Sequence, residues 1–219
     1  MAEMSADPAF RRRDAERLGG QKKYAREFRT AEVPVMKALR AAGITVEGLD
    51  DLRTSGTEYR HAVPVLVEWM EKAAHPGVRE AIVRALSVPW ADGAVPALLR
   101  EFVKPGLDAD YRWVIGNALA ATANAEAFVE LSRLAADARF GRAREMLVVA
   151  LGNTGDARAL GPLLELLKDR ELCGYALMGL ARLGMPEACT AIVPLLSDSD
   201  AWVRQEARCA LRRLKGKGK

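Results

Sequence analysis

The side chains that most often bind metals or act as nucleophiles are few and scattered in this chain. Its two histidines, His61 and His75, are 14 residues apart, and neither has a second ligand at helical spacing. No Gly-rich phosphate loop and no Gly-x-Ser-x-Gly elbow is present. The sequence therefore predicts no metal site and no cofactor, and it identifies no catalytic residue, although a site built from carboxylates stays open. Three isolated cysteines in helical patterns predict free thiols, Cys173, Cys189 and Cys209.

Arginine recurs at one position of a repeated pattern. Seven residues before a recurring leucine stand Arg79, Arg112, Arg144 and Arg204, and Cys173 takes this position in one copy. Such a column could bind an anion. However, each arginine follows an acidic residue at the end of the preceding unit, and Arg–Asp pairs between neighbouring repeats would fix their relative rotation. We expect this structural role.

The repeat that carries these arginines has a period of about 32 residues. Its first segment is typified by "VREAIVRAL", which ends at Leu86. The equivalent leucines follow at intervals of 33, 32, 29 and 31 residues, and a small residue precedes each: Leu119, Leu151, Leu180 and Leu211. Prolines recur with a related spacing, each near the start of an apolar run. Because proline is tolerated in the first turn of a helix, these prolines mark predicted helix starts: Pro64, Pro96, Pro162 and Pro194.

Each period therefore contains a first helix, a turn and a second helix. The pattern predicts first helices at 76–88, 108–121, 140–153, 170–183 and 199–214. Second helices are predicted at 92–104, 124–136, 156–168 and 186–197. One further, divergent helix pair is predicted at 31–43 and 58–74, with a loop between the two helices. Asp92, Asn124 and Asp156 are predicted to cap the helices that follow them.

This pattern resembles HEAT-repeat proteins, in particular the short bacterial type called PBS-lyase HEAT-like. The resemblance rests on "VRxxAxxAL" first helices (Val78-Arg79 and Val203-Arg204), on "LGNTGD" at 151–156, and on "LLELLKD" and "VPLLSD" second helices. It implies an all-α, right-handed α-solenoid of antiparallel helix pairs with the second helices on the concave side. It also implies a protein-binding scaffold, and less often a nucleic-acid binder or an enzyme.

Charge is distributed unevenly along the chain. Residues 1–30 carry eight basic and five acidic side chains, and residues 204–219 carry seven and one. Since the whole chain is +4, residues 31–203 carry −5. We expect a charged helical cap at 1–30, interrupted at Gly19-Gly20, a solenoid at 31–214 and a basic flexible tail at 215–219. With no apolar run long enough for a membrane span and no signal-peptide core, we expect a cytoplasmic protein.

The predicted function is non-catalytic binding of a protein or peptide on the concave face. Residues 31–203 are acidic overall, and the second helices carry both acidic and basic side chains. Both features disfavour a surface that binds a polyanion such as nucleic acid. The alternative is a nucleic-acid-binding protein, including a HEAT-like DNA base-excision enzyme. Trp69 is the predicted anchor, because the equivalent position of the next repeat is polar, whereas Trp113 and Trp202 are expected to be packing residues rather than binding residues. The remaining predicted partner-binding residues are the charged side chains of the second helices, Arg100, Lys104, Glu130, Arg133, Glu165 and Lys168.

Overall fold

The structure is a computed structural model that describes residues 8–216, with side chains from residue 17 onward. This part of the chain contains no strand. Its α-helices are α1 (Pro8–Ala41), α2 (Leu49–Thr54), α3 (Val63–Lys72), α4 (Pro76–Ala85), α5 (Val95–Phe102), α6 (Ala109–Thr122), α7 (Phe128–Ala136), α8 (Arg144–Asn153), α9 (Leu160–Leu166), α10 (Cys173–Leu183), α11 (Cys189–Ile192) and α12 (Ala201–Gly216).

The helices form two layers. The first helices α4, α6, α8, α10 and α12 stack on one another in chain order. Each second helix packs mainly against the first helix that follows it, as α5 does against α6 and α7 against α8. The leucines that define the repeat are all buried in one continuous apolar core. The predicted all-α solenoid of helix pairs is therefore confirmed.

The second helices are shorter than the sequence predicts. A 3-10 turn precedes α3, α5, α7, α9 and α11, so each of them begins later than expected. Pro194 does not start a helix, because α11 ends at Ile192 and Pro194 lies in a 3-10 segment, Val193–Ser197. Two of the predicted caps form, since Asn124 accepts a hydrogen bond from the Ala127 N–H and Asp156 from the Arg158 N–H. Asp92 makes no such bond.

The N-terminal helix α1 runs without interruption through Gly19-Gly20 and Pro34. The predicted break at the glycines is wrong. Glycine disfavours a helix by about 1 kcal/mol but ends one only where the backbone turns left-handed, and neither residue has a positive φ. The expected boundary at residue 30 lies inside this helix, and the loop predicted after it contains α2, which packs on α4.

The C-terminal half of α1 contacts α3 and α4. The rings of Tyr24 and Phe28 lie 5.1 and 5.9 Å from that of His75, between α3 and α4. The Tyr24 hydroxyl also closes over Gly77, where a Cβ atom would be 2.2 Å from it. These are contacts that a cap on the first repeat would make. At the other end, α12 includes Lys215 and Gly216, and the rest of the predicted tail, 217–219, lies outside the described residues.

The arginine column is structural, but its main partners are backbone carbonyls, and only Arg144 also pairs with one of the predicted aspartates, Asp169. Arg112 donates hydrogen bonds to the carbonyl oxygens of Phe102, Lys104 and Leu107, at and just after the end of α5. Arg79, Arg144 and Arg204 likewise reach carbonyls at or near the end of the preceding second helix, those of Ala73, Ala135 and Asp198. Because the last carbonyls of a helix have no intrahelical donor, the guanidinium groups act as C-terminal caps.

Arg144→Ala is expected to lower the free energy of unfolding by about 1–3 kcal/mol, since it leaves buried acceptors unpaired. The Arg144 side chain is 7% exposed and also lies 3.2 Å from an oxygen of Asp169 in the next unit, the one Arg–Asp pair between repeats in this column. Urea unfolding measures the change. Arg139→Ala is the control, because Arg139 is exposed and pairs only with Asp137 beside it, so its stability should hardly change. Equal losses in the two variants would refute the capping role.

Candidate binding face

The predicted partner-binding residues lie on second helices and mostly pair with close neighbours. Glu130 binds Arg133 at 2.5 Å and Glu165 binds Lys168 at 2.7 Å, each within one helix. Lys104 binds the buried Glu101, and Arg100 reaches Glu71 of α3. Local ion pairs thus explain why acidic and basic side chains occur together along these helices. No contact described in the structure joins these residues into one site, and their role in binding stays a prediction.

Trp69, the predicted anchor, is half-buried against the apolar core. The Lys72 ammonium lies 5.9 Å from its ring centroid, one turn further along α3. Part of the ring thus contributes to packing and part is covered by a neighbouring side chain. The binding of a partner by Trp69 stays a prediction.

Successive first helices pack directly on one another. Gly152 of α8 lies against Gly179 of α10, where a Cβ atom on Gly152 would be 2.2 Å from the Gly179 carbonyl oxygen. The concave position that the resemblance assigns to the second helices stays a prediction.

The surface of α4, α6, α8, α10 and α12 that faces away from the second helices is called the first-helix face. It is formed by side chains six, five and two residues before the recurring leucines, together with the starts of α6 and α12. The aromatic members are Trp113 on α6, Tyr175 on α10 and Trp202 on α12. Trp113 and Tyr175 are half-buried, and Trp202 is 40% exposed. The packing expected for Trp113 and Trp202 is observed, since Trp113 packs against the core and Trp202 against Tyr175, and both rings also reach this surface.

A buried carboxylate fixes the centre of the face. Glu145 of α8 is 6% exposed and accepts hydrogen bonds from the Trp113 indole Nε1–H and from Arg142 Nε, both at 3.1 Å. Burial, then a hydrogen bond to Glu145, raises the pKa of Tyr175 to about 12. Glu145 thereby links α8 to α6, and it sets the orientation of the Trp113 ring.

The aromatic row continues to the last helix. The Trp202 ring packs edge-on against Tyr175, with centroids 5.0 Å apart. It also lies directly over Gly174, where a Cβ atom would be 2.2 Å from the ring. Glycine at this position therefore makes room for the indole.

Beside Trp113, the face contains a cleft of about 320 Å³ between α4 and α6. Its charged lining residues are Glu80, Arg84, Asp110 and Arg142. Arg84 pairs with Glu80 at 2.6 Å and Arg142 with Glu145 at 3.1 Å. These cations are neutralised by neighbouring carboxylates, so the cleft offers no continuous positive track for a phosphate backbone.

The remaining reactive side chains form no second site in the described part of the chain. The three cysteines are free thiols, and burial raises the pKa of Cys173. No group of three metal-ligating side chains comes together there. Among the helices from residue 8 to residue 216, none combines the length and apolar character needed to cross a membrane.

Sequence reasoning missed this face because a tryptophan in a helical pattern is usually a core residue. The available signal was the column of small residues before the recurring leucines, including Ala150 and Gly179. Small residues allow close helix approach, and this indicates that the first helices pack directly on one another.

No protein-family model matches the chain, and no curated protein matches it. Among solved structures, it is similar to the crystal structure of an engineered protein, with 21% identity, 84% of this chain and 97% of that chain covered, and a TM-score of 0.48. It is also similar to a designed armadillo repeat protein, with 20% identity, coverage of 84% and 92%, and a TM-score of 0.49. Both similarities are weak, and the fold described above follows from the chain's own helix contacts. The resemblance to the PBS-lyase HEAT-like type stays a prediction.

Proposed function

We propose that this chain is a binding protein that holds a polypeptide segment against its first-helix face. The observation that carries the proposal is the row of partly exposed aromatic rings, Trp113, Tyr175 and Trp202. Tryptophan and tyrosine are enriched among the residues that dominate binding energy. Rings that are already held in place lose little conformational freedom when a partner binds, which favours affinity.

The charges of the face support a polypeptide over a duplex. Basic side chains there are paired with acidic ones, as Arg84 is with Glu80 and Arg142 with Glu145. Paired charges around apolar anchors suit the polar rim and apolar centre of a protein interface. A duplex-binding surface needs unpaired lysines and arginines facing the phosphates.

We further propose that residues 8–30, the described part of the predicted cap at 1–30, cover the start of the array and that residues 31–214 form the solenoid. The cap is supported by the packing of Tyr24 and Phe28 on His75. A cap is needed because the first repeat of an array has no preceding unit to cover its apolar side.

The test uses peptides selected from a random display library on the immobilised full-length chain. For a selected peptide, Trp202→Ala should remove about 2 kcal/mol or more of binding free energy, as for an anchoring residue. Calorimetric titration measures the loss, and a melting curve verifies that the variant is folded. Trp69→Ala is the matched control on the second-helix layer, and its affinity should stay close to that of the original chain.

Three results would contradict the proposal. One is that no peptide is enriched; another is that Trp69→Ala weakens binding while Trp202→Ala does not, which would return the site to the second helices. The third is tight binding to random DNA with a steep dependence on salt concentration, which would favour the nucleic-acid alternative, including a base-excision enzyme.

A further inference from the structure

We propose that the segment held by the first-helix face is proline-rich and binds in the extended polyproline II conformation, with a backbone carbonyl oxygen accepting a hydrogen bond from the indole N–H of Trp202. This inference rests on the proposed function and specifies the chemistry of the partner. It concerns the end of the first-helix face formed by α10 and α12, where Trp202 and Tyr175 lie together.

The Trp202 indole covers α10 with one end of its ring only. A Cβ atom on Gly174 would lie 2.7, 2.2 and 2.3 Å from Cε3, Cζ3 and Cη2 of the indole. These three atoms form the end of the ring farthest from Nε1, so Gly174 is covered by the end opposite the N–H. The ring is partly exposed, and its N–H donates no hydrogen bond to any described residue. A partner can therefore use this donor.

Trp202 is the one indole of the first-helix face whose N–H is free. The other is Trp113, whose Nε1–H lies 3.1 Å from an oxygen of Glu145. An indole N–H usually has an acceptor where a ring is buried, since an unpaired donor is costly there. When a partner covers Trp202, it should therefore supply an acceptor to this N–H as well as an apolar surface to the ring.

Tyr175 completes an apolar surface beside this donor. Its ring centroid is 5.0 Å from that of Trp202, and the two ring planes are inclined at 67°. Met178 lies three residues further along α10, hence on the same side of the helix, and is partly buried against the core. Inclined rings form an angled apolar surface, which suits the compact ring of proline better than a long, flexible side chain.

The other common modes of peptide binding lack what they need on this face. A partner strand adds to the edge of a sheet, and the described part of the chain contains no strand. Acidic or phosphorylated motifs need free guanidinium groups, whereas Arg84 is paired with Glu80 and Arg142 with Glu145. A partner helix needs a long apolar groove, whereas the cleft beside Trp113 is bordered by these charged side chains.

A proline-rich segment matches the face in charge and in hydrogen bonding. It is neutral, as suits a face whose cations are paired with carboxylates. The polyproline II conformation has no internal hydrogen bonds, so its carbonyl oxygens are free to accept from Trp202. Proline has no backbone N–H, so covering it leaves no unpaired donor on the segment. Because the conformation is already formed before binding, the segment loses little freedom when it binds.

The first test is the composition of peptides selected from the random display library on the immobilised full-length chain. Enriched peptides should contain proline several-fold above the unselected library, with prolines about three residues apart, the repeat of polyproline II. A synthetic oligoproline of about ten residues should then bind in a calorimetric titration. A Gly-Ser peptide of the same length is the control, and it should show no binding.

The second test concerns the N–H of Trp202. Trp202→Phe keeps an aromatic ring over Gly174 and removes the donor, so it should weaken oligoproline binding about fivefold, the loss expected for one neutral hydrogen bond. Trp69→Phe is the matched control and should bind oligoproline as the original chain does. In the nuclear magnetic resonance spectrum of the original chain, which needs no variant to fold, oligoproline should shift the indole N–H signal of Trp202 and leave that of Trp69 in place.

Three results would overturn this inference: enriched peptides without excess proline, equal oligoproline affinity for the original chain and Trp202→Phe, or an indole signal of Trp202 that oligoproline does not move. The proposed function would still stand if Trp202→Ala weakened the binding of the enriched peptides. The absence of any enriched peptide would overturn both.

Discussion

Gly152→Ala is expected to lower the free energy of unfolding by about 3 kcal/mol or more, the upper range for added volume in a packed core. A Cβ atom at this position would lie 2.2, 2.5 and 2.6 Å from the carbonyl oxygen, Cα and carbonyl carbon of Gly179. All three are backbone atoms of the neighbouring helix α10, so no side chain can rotate away. The helices α8 and α10 must separate, and the first-helix layer must open at its centre.

Gly161→Ala is the matched control for this substitution. Gly161 lies in the second helix α9, and a Cβ atom there would meet nothing within 4 Å. Alanine stabilises a helix relative to glycine by about 0.5–1 kcal/mol, so this variant should be slightly more stable than the original chain. Urea unfolding of both variants measures the two changes. Similar effects of the same sign would show that the close approach of α8 and α10 is not a feature of the folded protein.

Leu151→Ala is expected to cost about 2–5 kcal/mol, the range for a buried leucine that leaves a cavity. Leu151 is fully buried at the centre of the array, where it belongs to the apolar core that continues from α1 to α12. Its loss should therefore lower the stability of the whole array.

Val129→Ala is the control for the leucine, because Val129 lies on α7 and is 65% exposed. Its effect on stability should be within about 0.5 kcal/mol. Chemical unfolding followed by far-ultraviolet circular dichroism compares the two. A stable Leu151→Ala variant would mean that the repeat register is wrong.

The repeat register could be predicted from sequence because burial alone determines it. Leu86, Leu119, Leu151 and Leu180 recur at intervals that one helix pair fills, and all of them are fully buried. The caps at Asn124 and Asp156 were likewise predictable, since a side-chain acceptor before a helix bonds to the nearest free N–H groups.

The arginine partners could not be predicted from residue types alone. An aspartate near an arginine suggests an ion pair, whereas the free carbonyls at the end of a helix are invisible in a sequence. In the structure, Arg112 and Arg204 bind such carbonyls. Only Arg144 also binds an aspartate of another repeat, Asp169.

The candidate site was the least predictable feature, because it depends on which side chains the packing of neighbouring repeats leaves at the surface. The sequence distinguishes Trp69 from Trp202 only by the polar residue at the position equivalent to Trp69 in the next repeat. Their difference arises from neighbours in other repeats: Trp202 covers Gly174 and contacts Tyr175, on a helix almost thirty residues earlier in the chain. Such contacts need the helix packing as well as the repeat period.

We expect a partner polypeptide to lie along the first helices. The most direct measurement is a crystal structure of the full chain with a library-selected peptide. The peptide should contact Trp113, Tyr175 and Trp202. A peptide bound instead along α5, α7 and α9, with Trp202 left uncovered, would contradict it.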